Sequence, residues 1–267
     1  MGLKFTNIVI LDLLPEAGLQ TGIGLLRHLQ DTLPVERQRY LAYERIRTEA
    51  DIDRYLFHIR SMARQGCKPI IHIECHGDEE EGLRLTSGHF GWTRLLKHLG
   101  KINFLTKNNV VLFLAGCHGT NILRALEITQ PSPFLVLISS DEEVKAGFVK
   151  DVTGVFYQRL FDASDFKVAA KILAPHFRTT HAELFFLQVF AAYLREHGSN
   201  RRRQFRLENI LSYAQPDHRS RAVVRQSVRK LLKENRQSFE RLGEIFLHGR
   251  RKFSYEDFLR AYAATAA

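Results

Sequence analysis

The chain has 267 residues, 39 of them Lys or Arg and 29 Asp or Glu, for a formal net charge of +10. This length suits one large α/β domain, or a domain of about 200 residues with an appendage, and 45% apolar with 25% charged residues is ordinary for a folded chain. No apolar run approaches the roughly 20 residues that span a bilayer, and the first residues run straight into strand-like sequence rather than a secretory leader, so a cytoplasmic protein with no membrane partner is expected.

Residues 3 to 11 read as a buried strand, with Leu3, Phe5 and the run Ile8–Leu11. Gly22 and Gly24 then lead into a helix carrying Leu25, Leu26 and Leu29, and Tyr40–Ile46 reads as a second strand. Asp51–Arg64 has the helical period, with Ile52, Leu56 and Ile59 on one face and Gly66 as its stop. Lys68–Cys75 and Val110–Ala115 are the third and fourth strands, separated by a hairpin over Leu83–Phe90 and a helix around Trp92–Leu99. A helix over Asn121–Ile128, a fifth strand over Phe134–Ile138, and helices over Val144–Leu160 and Phe166–Leu173 follow. Apolar strands alternating with helices imply a mostly parallel sheet covered on both faces.

Beyond His181–Leu194, an apolar helix, the character changes. Residues 201–267 hold 16 Lys and Arg against 7 Asp and Glu, whereas the first 200 residues are nearly balanced. Gly198-Ser199-Asn200 is a linker-like break, which sets the domain boundary at 198/199 and leaves residues 199–267 as a basic helical region. Arg201-Arg202-Arg203 follows directly; Arg221, Arg225 and Arg229 make one basic helical face, and Val224, Val228, Leu231 and Leu232 make an apolar one. Ser254 with Asp257 caps a last helix through Ala264. The basic region has three readings: a solvated face, a site for a regulatory partner, or a nucleic-acid surface. The last is disfavoured because aromatics do not interleave with the arginines.

Three cysteines, Cys67, Cys75 and Cys117, form neither a disulfide framework nor a metal-ligand spacing, in keeping with a reducing compartment. No metal or organic cofactor is called for. Open α/β sheets carry their reactive groups just beyond the carboxyl ends of parallel strands. Two strand ends qualify, Glu74-Cys75-His76-Gly77 and Ala115-Gly116-Cys117-His118-Gly119. If these strands are neighbours, His76 and Cys117 meet at one edge of the sheet. A thiol needs a base to become a nucleophile, and an imidazole supplies one and later returns the proton to the leaving amine. The backbone N–H groups of Gly77 and Cys117 are the natural donors to the oxyanion. Cys75 shares a strand face with Ile71 and Ile73 and reads as structural, as does Cys67. His118 is the rival base, but adjacent side chains rarely point at each other, so His76 is preferred.

Residues 68–160 resemble the caspase-like peptidases, and among them the CHAT (caspase HetF-associated with TPR) branch. The likeness rests on strand–His76–Gly77, then Gly82-Leu83-Arg84-Leu85-Thr86-Ser87-Gly88, a helix, a strand ending in Cys117, and the stretch Phe134–Ser140, Asp141, Phe156-Tyr157 and Leu160. His76 and Cys117 lie 41 residues apart, against about 50 in caspases. The resemblance implies a three-layer sandwich over residues 1–198 and a cysteine endopeptidase working through a Cys117–His76 dyad on a specific protein target, in settings such as bacterial antiviral defence or programmed cell death. Two departures stand out. Ala115 occupies the place of the glutamine that helps caspases read aspartate, and His118 is an unusual residue after the nucleophile.

Asp78-Glu79-Glu80-Glu81 follows His76, and Asp141-Glu142-Glu143 follows the fifth strand. An acidic wall beside the cleft selects Arg or Lys before the cut bond, with Asp141 and Glu142 as the binding residues; the plainer reading is that both loops are solvated surface. Two alternatives to a peptidase stay open: a catalytically inactive scaffold of the same fold, and a nucleic-acid-associated regulator acting through the basic region.

Overall fold

The computed structural model describes residues 5–17, 19–163, 165–197 and 235–266. They divide into two compact units, one built from residues up to Glu127 with Pro131–Ala182, the other from Ile128–Gln130 with the described residues from Glu183 onward. The charge shift lies near residue 200 and the packing boundary at 182/183, because the apolar helix that follows belongs with the second unit. Arg201–Arg203 and the face of Arg221, Arg225 and Arg229 lie outside the described residues.

The first unit is α/β, with a mostly parallel six-stranded central sheet. Its strands are β1 (Asn7–Asp12), β2 (Leu41–Arg45), β3 (Pro69–Glu74), β7 (Val111–Ala115), β8 (Val136–Ser139) and β9 (Arg178–His181), in the order β2-β1-β3-β7-β8-β9. All neighbours pair in parallel except β8 and β9. Strand alternation divides the core in two. Val9, Leu11, Ile71, Ile73, Leu112 and Leu114 face one layer, with α3 (Glu49–Arg64) and α4 (Trp92–Leu105). Ile8, Ile10, Ile70, Val111, Phe113 and Ile138 face the other, with α1 (Thr21–Thr32), α5 (Ala146–Ala163) and α6 (Phe166–Ala170). A short helix, α2 (Val35–Gln38), joins α1 to β2. Thr48 and Asp51 start α3 as a reciprocal capping box.

Three elements differ from the expectation. His76 opens a strand of its own, β4 (His76–Asp78), which pairs with β5 (Gly82–Arg84) and through it with β6 (His89–Phe90), so the hairpin is a three-stranded sheet. The segment after Cys117 forms a 3-10 helix, Gly119–Ala125, rather than an α-helix over 121–128. The edge strand β9 was not foreseen. Its sequence, Arg-Thr-Thr-His, has β-branched residues but no apolar alternation.

In the second unit, α7 (Ala182–His197), a helix over residues 235–246 (α8) and α9 (Tyr255–Ala266) carry a cluster of aromatic rings. Phe239 is its hub, with ring centres 5.0 Å from Phe190, 5.1 Å from Phe258 and 5.3 Å from Phe186. Ser254 and Asp257 cap α9 as expected: the Asp257 amide donates to Ser254 Oγ, and the Ser254 amide to the Asp257 carboxylate. The Ser254 amide and hydroxyl, with Arg260, hold the Asp257 carboxyl down to about 2. Among the described residues no helix is long and apolar enough to cross a membrane.

Phe113 is wholly buried, its ring packed by His72, Phe156 and Phe177 at 4.6, 5.7 and 5.2 Å. Phe113→Ala is expected to cost about 3–5 kcal/mol, read from the midpoint of urea unfolding. A loss under about 1 kcal/mol contradicts this packing.

Candidate active site

The register of β3 and β7 sets the geometry. Glu74 pairs with Ala115, so two residues further on His76 is level with Cys117. The two backbones stay in contact beyond the sheet, where residues with side chains do not fit. A Cβ on Gly116 would lie 2.2 Å from the Cys75 carbonyl oxygen, and one on Gly77 would lie 2.1 Å from the Cys117 carbonyl oxygen. Both positions therefore require glycine. His76–Gly77 and Gly116–Cys117 thus leave the sheet side by side, with the His76 side chain exposed and Cys117 half-buried.

Past Cys117 the chain turns sharply. His118 is left-handed (φ 55°, ψ 18°), uncommon outside glycine and costing about 1–2 kcal/mol. Contacts to the loop after β8 hold the turn: the His118 amide donates to the Glu142 carbonyl at 3.4 Å and the Thr120 amide to the Ser140 carbonyl at 3.1 Å. The same loop reaches the sulfur, since the Val144 amide donates to Cys117 Sγ at 3.4 Å. His76 and Cys117 are not hydrogen-bonded to each other; in unliganded sites such bonds are often long and tighten with substrate.

The His118 ring turns its Nδ1 toward the acidic loops. Its Nδ1 lies 3.3 Å from the Asp141 carbonyl oxygen and 3.5 Å from Glu79 Oε1. It thereby ties the acidic loop after His76 to the acidic loop after β8. Of the expected recognition residues, Asp141 is partly exposed and Glu142 exposed. The Asp141 carboxylate already has a partner, Arg178 Nη1 at 2.7 Å. Nothing in the sequence pairs Arg178 with Asp141, because the contact depends on β9 returning antiparallel to β8. The Val144 amide was equally beyond reach of sequence reading.

Two buried carboxylates stand behind the mouth, at paired positions on β1 and β3. Glu74 accepts from the Thr21 hydroxyl at 2.7 Å and contacts His72 Nε2 at 2.9 Å, while His72 Nδ1 contacts the Tyr157 hydroxyl at 3.0 Å. Burial, with the Glu74 charge, pushes the Tyr157 hydroxyl far up. Asp12 accepts from the Tyr43 hydroxyl at 2.8 Å and from Arg45 at 3.1 Å. These fully bonded groups brace the strand ends. Among the described residues no group of three or more His, Cys, Asp or Glu is placed to hold a metal ion.

No protein-family model matches the sequence, and no curated protein matches it. The functional reading therefore rests on the site itself.

Cys75 packs into the core beside Ile71 and Ile73. Burial pushes its thiol up, and the neighbouring Glu74 and Cys117 add to the effect, so it stays protonated and unreactive at pH 8. Iodoacetamide at pH 8 is expected to leave Cys75 unmodified in the native protein and to label it only after unfolding, by peptide mass spectrometry. Gly77→Ala should lower the rate of Cys117 labelling at least severalfold, because the new methyl displaces the Cys117 carbonyl. Native labelling of Cys75, or an unchanged Cys117 rate in Gly77→Ala, contradicts the arrangement.

Proposed function

We propose that the chain is a cysteine endopeptidase of caspase-like architecture, with Cys117 as nucleophile and His76 as general base. One observation carries the reading: two neighbouring parallel strands bring a thiol and an imidazole to the same end of the sheet, through glycines that keep their backbones in contact. His76 takes the proton from Cys117, and the thiolate adds to the carbonyl carbon of the peptide bond. The resulting oxyanion accepts from the Gly77 and Cys117 amides. His76 then gives its proton to the leaving amine, and the amine departs to leave a thioester on Cys117. Water, deprotonated by His76, hydrolyses the thioester and returns the thiol. None of these steps draws on a cofactor.

The acidic loops, Asp78–Glu81 and Asp141–Glu143, give the mouth a negative rim, which supports a preference for Arg or Lys before the cut bond, with Asp141 and Glu142 as the binding residues. Regulated cleavage of a protein target, in a defence or cell-death setting, extends the reading by resemblance. The lack of a hydrogen bond between His76 and Cys117 favours a second reading, an inactive scaffold of the same fold.

Incubation with a mixed peptide library, beside Cys117→Ala, separates the two. The peptidase reading predicts new termini enriched in Arg or Lys before the cut, and none with Cys117→Ala. Identical product profiles for the two proteins, or no products, would leave the scaffold.

A further inference from the structure

β9 is an edge strand whose antiparallel pairing sets Arg178 opposite Ser139, two residues before Asp141. From there the guanidinium reaches forward to the Asp141 carboxylate at 2.7 Å. Asp141 in turn offers its backbone carbonyl to His118, the residue after the nucleophile. The carboxylate best placed to recognise a basic side chain beside Cys117 is thus already neutralised by a basic side chain of the protein. The pair is open to water, with Arg178 74% and Asp141 31% exposed. Exposed pairs of this kind contribute only about 0.2–1 kcal/mol, so another guanidinium or ammonium can replace Arg178 at little cost.

We propose that Arg178 is a specificity-determining residue: it holds Asp141 as an internal counter-ion, and a substrate with Arg or Lys before the cut bond binds by displacing it. This rests on the assignment of Cys117 as nucleophile and Asp141 as its recognition residue. Arg178 sets how strongly basic substrates are preferred, since each must outcompete a tethered rival for the same carboxylate. A neutral side chain has no such competitor. The competition is electrostatic and weakens as salt rises.

The test uses two peptidyl chloromethyl ketones, identical except for arginine or leucine next to the reactive carbon. Each alkylates Cys117 as the thiolate displaces chloride, and rates are read by intact mass, so peptide-bond turnover is not needed. Arg178→Gln is expected to raise the ratio of arginyl to leucyl rates about 2–5-fold, the range matching an exposed ion pair. Arg178→Glu should raise it further, and high salt should shrink both gains. An unchanged or lowered ratio in both variants, with Cys117 still alkylated, overturns the role of Arg178 and leaves the nucleophile standing. Failure of both probes to alkylate Cys117 in all three proteins overturns both.

Discussion

The site depends on a close approach of two backbones. β3 and β7 run parallel in register and, past the last ladder residues, the chains stay near enough that Gly116 lies against the Cys75 carbonyl and Gly77 against the Cys117 carbonyl. No residue with a Cβ can hold either position without moving a main-chain oxygen. Because the backbones cannot separate, the imidazole after one strand and the sulfur after the other stand at the same height. The left-handed turn at His118 follows, since the chain must bend away immediately after Cys117. The bend brings it under the loop from β8, whose Val144 amide bonds the sulfur.

Charge is organised around the same point. Glu79, His118, Asp141 and Arg178 form a chain of contacts from the loop after His76 to the edge of the sheet. Its members alternate in sign when His118 is protonated, and all are at least partly open to water, where pairs are weak and exchangeable. Behind the mouth the balance reverses. Asp12 and Glu74 are buried, and each is bonded by groups from other segments. Removing one partner there would strand a buried polar group, so that network is costly to break. The fold thus sets a rigid polar brace against a labile polar rim, the arrangement expected where a ligand must exchange contacts at the rim without loosening the strands.

Much of this was legible in the sequence. Four of the sheet's strands announce themselves as apolar runs, from Ile8–Leu11 to Val136–Ile138, because strands buried on both faces leave no room for polar alternation. The ends of β3 and β7 are readable because Cys-His-Gly follows the first run and Gly-Cys the second. The adjacency of β3 and β7 was only a condition in the sequence; the pairing register supplies it. β9 was missed because a four-residue edge strand of Arg, Thr, Thr and His owes its conformation to β8 rather than to its own pattern. Missing β9 meant missing Arg178, and so the partner of Asp141. The 3-10 geometry after Cys117 likewise comes from tertiary bonds of His118 and Thr120 to the β8 loop, which no local propensity encodes.

The proposed chemistry requires that the imidazole after β3 activate the sulfur after β7. The direct measurement is the rate of Cys117 alkylation by iodoacetamide at neutral pH, in the native protein and in His76→Ala. Cooperation between the two predicts rapid modification of Cys117 that falls at least tenfold in the variant, while Cys67 reacts at the same rate in both. Equal Cys117 rates in the two proteins would contradict it.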